Sequence, residues 1–184
     1  MAIKDKILTN PVTGQSIRFL RTANDTRGEL LEMETVYHAG STEPAPHYHP
    51  CQKEDFKVLE GELTVKLNGQ LRVLKQGDIL HIPANMVHSM WNAGSLAARV
   101  NWQVRPAMDT EFLLETTFGL ASDGLVNKHG IPPILQAAPI LLKYSKVFRL
   151  AKPPHFIQQI VFNILRPVAW LGGKRPGYEK YIDK

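Results

Sequence analysis

His47 and His49 stand two residues apart in GSTEPAPHYHPCQKEDFKVLEG, and that spacing narrows the local backbone to extended chain. On a strand, residues i and i+2 share a face, so both imidazoles point the same way. On a helix of about 3.6 residues per turn they would diverge by about 200°. Glu54 follows five residues after His49, past Pro50, which implies a bend and a second strand carrying the carboxylate in. His88 arrives from GDILHIPANMVHSMWN, beyond two hairpin signals. Three imidazoles and one carboxylate brought to one point make a donor set for a first-row transition metal.

The surrounding chain reads as short strands punctuated by turns. Leu31, Met33, Thr35 and Tyr37 share one face of a strand over residues 30–37, and QSIRFL (15–20) alternates as an edge strand would. From Glu54 the pattern is a meander. Glu54, Phe56 and Val58 share a face, and Leu63, Val65 and Leu67 form the next. Asn68-Gly69 predicts a two-residue hairpin turn with positive φ at both positions. Residues 71–74, 79–82, 87–91 and 97–104 supply further strands, with Met86 and Met90 on the face of His88 and Trp102 in the last of them. Many short strands at regular spacing predict an all-β barrel.

These residues resemble the two motifs of the cupin superfamily. The first reads as Gly40, His47-x-His49, four residues, Glu54, six residues, Gly61; the second as Gly77, five residues, Pro83-x-Asn85, two residues, His88, three residues, Asn92. Fifteen residues separate them, as in short-spacer bacterial cupins. Two departures stand out: six residues, not five, lie between Gly40 and His47, and Asn85 occupies a glycine position. Asparagine tolerates positive φ better than most residues, so the turn is expected to survive. The resemblance implies a double-stranded β-helix (jelly-roll) barrel over residues 1–108 with an N-terminal arm. It also implies a metal held by His47, His49, Glu54 and His88.

Composition divides the chain. Residues 1–123 hold 12 Lys/Arg against 15 Asp/Glu, net −3, whereas residues 124–184 hold 10 Lys/Arg against only Glu179 and Asp183, net +8. The basic balance therefore belongs to the tail, and the β region has no nucleic-acid footprint. No apolar run opens the chain as a signal peptide would, and the lone Cys51 suits a reducing cytoplasm. Cys51 reads as a partly buried thiol outside the donor set, although its place two residues after His49 puts it within reach of an ion there.

Residues 109–184 read as a basic helical extension. Asp109 is a plausible N-cap for TEFLLETTFGLA. A second helix is expected within residues 134–150, and a third from about Pro154 to Arg166, ending before Pro167. In the third, Ile157, Ile160, Val161, Ile164, Leu165 and Val168 form an amphipathic stripe. The favoured expectation is that this stripe packs on the barrel or across a homodimer interface, ahead of a membrane surface met through the flanking lysines and arginines.

Four protein ligands on an octahedral ion leave two positions for water, dioxygen or a substrate oxygen. One divalent ion is expected, with Fe, Mn, Ni, Cu and Zn all suiting mixed N and O donors. Glu54 is the candidate catalytic base as well as a ligand, and Phe56, Val58, Met86, Met90 and Trp102 are the candidate substrate pocket. By family analogy the chain is a metal-dependent dioxygenase or isomerase of a small organic molecule. The alternative is a barrel that holds a small ligand without turning it over. His38, His81, His129 and His155 read as ordinary histidines, His81 being the nearest to the second motif.

Overall fold

The computed structural model describes residues 2–182. Ten strands precede the first helix: β1 (Ile7–Asn10), β2 (Gln15–Arg21), β3 (Leu31–Tyr37), β4 (His47–Tyr48), β5 (Lys53–Glu60), β6 (Glu62–Leu67), β7 (Gln70–Lys75), β8 (Ile79–Ile82), β9 (His88–Trp91) and β10 (Ala98–Arg105). Then come α1 (Thr110–Ser122), α2 (Ile134–Lys143), β11 (Arg149–Leu150) and α3 (His155–Leu171), with a single 3-10 turn at Glu179–Tyr181. Asp183, one of the two acids in the basic tail, lies outside the described residues.

The strands form two antiparallel sheets, in the orders β1-β2-β3-β10-β5-β8 and β11-β4-β9-β6-β7. From β5 to β10 the chain crosses repeatedly between them, as a double-stranded β-helix requires. Among the described residues no ladder joins the two sheets, so the expected barrel is an open pair of sheets. Strand alternation sets what lies between them. β3 buries Leu31, Met33, Thr35 and Tyr37 and turns Glu32, Glu34 and Val36 outward. Phe56, Val58, Leu63, Val65, Ile82 and Val100 make the core between the sheets. Ile17, Phe19, Leu31, Met33 and Val104 make a second core with Phe118 of α1.

Turn chemistry fixes the registers. Asn68 and Gly69 both have positive φ (45° and 86°), the geometry that twists β6 back onto β7. Asn85 also lies in the left-handed region, at φ 66°, so asparagine serves at the glycine position. Gly61 cannot be replaced in this way: its φ is 73° and an added Cβ would stand 2.5 Å from the Ala97 carbonyl oxygen.

Several expectations are corrected. QSIRFL is not an edge strand, because β1 pairs outside it through a turn in which the Asn10 side chain accepts from the amides of Val12 and Thr13. Four residues of β1 are too few to show a period. Asp109 sits at the N-cap of α1 without a side-chain capping bond. Only Ile134–Lys143 of the second helical segment is helix, and Leu150 belongs to β11. α3 runs through Pro167 to Leu171: a proline removes one donor, and the turns on either side carry the helix past it. Cys51 is exposed, not partly buried.

Candidate metal centre

β4 and β9 are neighbours, and their register sets His47 opposite His88. His49 follows directly after β4, where its carbonyl accepts from the Asn85 amide, and Glu54 projects from β5 in the opposite sheet. The mutually close donors are the three histidines, and Glu54 reaches two of them from the other sheet. The donor nitrogens of His47, His49 and His88 all lie within 4.8 Å of one another. Glu54 Oε2 stands 3.3 Å from His49 Nε2 and 3.1 Å from His88 Nε2. His49, Glu54 and His88 are buried.

Each imidazole is oriented by a backbone carbonyl. Nδ1 of His47 donates to Ala45 O (3.0 Å), that of His49 to Val147 O (2.6 Å) and that of His88 to Met86 O (2.9 Å). With the ring proton on Nδ1, a neutral ring presents a bare lone pair at Nε2, the tautomer a metal ligand needs. On the carboxylate, Oε1 accepts from the Trp102 indole at 3.0 Å while Oε2 has no hydrogen-bond partner. His49 Nε2 has none either.

The electrostatics follow. Burial first, then the neighbouring imidazoles, lowers His47 to about 3, and burial also lowers His49, so both rings are neutral. Burial alone would raise Glu54, but His49 and His88 outweigh it and hold the carboxyl at about 2. For His88 burial pulls downward and Glu54 more than reverses it, leaving this ring raised. The sum is a buried anion beside two neutral imidazoles and a third whose protonation it favours, an arrangement that needs a positive charge at Glu54, either a proton on His88 Nε2 or a cation in its place. Donors about 2.0–2.2 Å from one ion lie roughly 3 Å apart, close to the spacings around Glu54 Oε2. The residues present fit a divalent cation.

The candidate pocket residues fall in the core. Phe56, Val58 and Met90 are buried between the sheets, and Met86 and Trp102 pack against them. Phe56 and Trp102 stack at 5.7 Å. His81 is exposed and bonds Asp55 at 2.6 Å, away from the cluster.

Sequence reasoning missed what closes the site. β11 pairs with β4, Val147 holds His49 through its carbonyl, and the Phe148 ring stacks on His47 at 4.6 Å. A backbone carbonyl leaves no trace in sequence, and Phe148 lies about a hundred residues from its partner. A cavity of about 640 Å³ lies elsewhere, lined by Val126, Gln136, Tyr178 and Tyr181. Another, of about 420 Å³ and lined by Glu43, Pro46 and His129, adjoins the run into His47.

Residues 33–104 match the family model of the cupin domain. Quercetin 2,3-dioxygenase of Bacillus subtilis (strain 168) is 35% identical over 85 residues, 46% of this chain and 24% of that protein. Tetracenomycin polyketide synthase protein TcmJ of Streptomyces glaucescens is 32% identical over 96 residues, 50% of this chain and 62% of that protein. The chain thus spans less than two thirds of either relative. Among solved structures, one described as a predicted oxalate decarboxylase from Thermotoga maritima superposes with a TM-score of 0.49 at 19% identity, covering 58% of this chain and 99% of that one.

Proposed function

This chain belongs to the cupin superfamily, and from that premise we propose that it is a metal-dependent enzyme acting on a small organic molecule, by oxygenation or by isomerisation of an enolisable carbonyl. The observation that carries the reading is the state of the donors: three imidazoles tied at Nδ1 to backbone carbonyls, beside a buried carboxylate oxygen with no partner. His47, His49, His88 and Glu54 would hold the ion. When bound, it supplies Lewis-acid polarisation of a substrate oxygen and, with a redox metal, electron transfer.

This chain's own residues supply the rest. The carbonyls of Ala45, Met86 and Val147 keep the rings from turning. Trp102 fixes one carboxylate oxygen and leaves Oε2 to work. Held at about 2, Glu54 is a firm ligand and a weak base, so its proton-accepting role depends on substrate displacing Oε2 from its imidazole neighbours. Phe148 covers His47 and keeps water from that side. The similarity to a quercetin dioxygenase supports the oxygenation branch.

The test is oxygen uptake by protein loaded in turn with Fe(II), Mn(II), Ni(II), Cu(II) and Zn(II), over flavonol, catechol and enediol substrates, with deuterium exchange read by NMR for isomerisation. Turnover abolished by His88→Ala supports the proposal. Metal-loaded protein inert across the panel, with a small ligand retained through purification, favours the non-catalytic binding module. The Phe148 ring closing over His47 is the observation on that side.

A further inference from the structure

The stripe on α3 is not covered. Only Gln158, Phe162 and Ala169 of this helix are buried, where it packs on α2. Phe156, Ile157, Ile160, Val161, Ile164, Val168 and Leu171 are all exposed, Ile164 at 69% and Leu171 at 78%. At 100° per residue these seven side chains occupy an uninterrupted arc of about 140°. Trp170, 62% exposed, lies about 40° beyond the arc, past Asn163, and the Arg175 guanidinium lies 5.4 Å from its ring centroid. So much contiguous apolar surface on one helix marks a docking face.

Charge says what the face meets. From Gly124 to Tyr178 the sequence has eight Lys/Arg and no Asp or Glu. Lys152 before α3 and Lys174 and Arg175 after it flank the apolar arc with cations alone, while Arg166 lies on the far side of the helix, about 150° from the arc's centre. A second copy docked through the same face in a two-fold pair would set these cations against their own counterparts. An anionic bilayer surface would instead neutralise them while its acyl boundary takes up the arc, and an exposed tryptophan beside arginine suits the headgroup level. No helix among the described residues is long and apolar enough to cross a membrane, so α3 would lie in the interface.

We propose that α3 is an interfacial membrane-docking helix that binds anionic lipid surfaces through its Ile160/Ile164 face and its flanking cations. The proposal is independent of what the metal centre does. The helix also bears on the strap over that centre, since Gln158 Nε2 donates to Leu150 O (2.9 Å) and Pro153 O (2.6 Å).

The experiment is co-sedimentation of the full chain with vesicles of phosphatidylcholine plus phosphatidylglycerol and with phosphatidylcholine alone. Binding is expected to the anionic vesicles, to weaken with salt, and to fall about ten-fold or more in Ile160→Asp/Ile164→Asp. Both positions are exposed, so the variant should keep the wild-type circular dichroism and metal content. Should it misfold, Lys152→Glu at an exposed site tests the charge half: it should lose affinity for the anionic vesicles and not for the neutral ones. A blue shift of tryptophan emission on the vesicles should vanish in Trp170→Phe. No binding to anionic vesicles overturns the proposal, as does binding unchanged in both variants. A dimer that Ile160→Asp/Ile164→Asp converts to monomer, with no vesicle binding by either protein, overturns it in favour of a second copy.

Discussion

Trp102 shows how one side chain can serve packing and chemistry together. Its ring touches both β cores while its indole N–H fixes Glu54 Oε1. Trp102→Phe should keep most of the packing and release the carboxylate, weakening metal affinity by about 10–100-fold, the usual cost of losing a bond that orients a ligand. A competition titration against a chelator measures this. Glu111 on α1 makes a second prediction at this scale. Burial raises its carboxyl above the ordinary value, with Glu115 adding to the shift; Ala23 N bonds one oxygen and the other has no partner. A raised folded-state value means the folded protein binds the proton more tightly than the unfolded chain. Stability from this group is therefore fully present below the unfolded-state value and declines as pH rises through the folded one. Glu111→Gln should raise Tm at pH 7 and change it little at pH 4, as thermal melts at the two pH values would show.

β11 is the element that changes the picture of the site. A two-residue strand carries little stability alone, yet it pairs with β4 and brings Val147 and Phe148 over two of the histidines. Phe148→Ala removes a stacked ring pair worth about 0.5–1.5 kcal/mol. The expected outcome is a small loss of Tm together with faster metal release to chelator, followed by stopped-flow. An unchanged release rate would show that the ring does not guard the ion. The strap also explains a limit of pattern reading. Residues 144–150 carry Tyr144 and Phe148 at helical spacing, so periodicity extends the second helix through them. Backbone pairing with β4, a partner about a hundred residues away, ends that helix at Lys143 and decides otherwise.

At the scale of the whole molecule, the centre couples the two sheets. β4 and β9 lie in one sheet and β5 in the other, so an ion held by His47, His49, His88 and Glu54 would tie them across an open pair that no ladder among the described residues closes. Free ion at a hundred times its Kd stabilises the folded chain by about 2.7 kcal/mol, or roughly 5–10 °C in Tm for a chain of this size. Calorimetry of chelated against reloaded protein should show that difference, and Glu54→Gln should shrink it. Equal melting temperatures would mean the sheets do not share the ion.

The sequence alone determined the strands of the meander from Glu54 onward and their turns, because alternation and residues such as Asn68-Gly69 act through neighbours. It also singled out the three histidines that the fold gathers, His47 on β4, His49 directly after it and His88 on β9. What only tertiary structure decided was what rests on distant partners, namely the carbonyl of Val147 on His49, Phe148 over His47 and the fate of the α3 stripe, together with β1, which is too short to show a period. An amphipathic pattern says that a face is apolar. Whether protein covers that face depends on how many other apolar faces compete for the same core, and in this chain the two sheets, α1 and α2 fill it first.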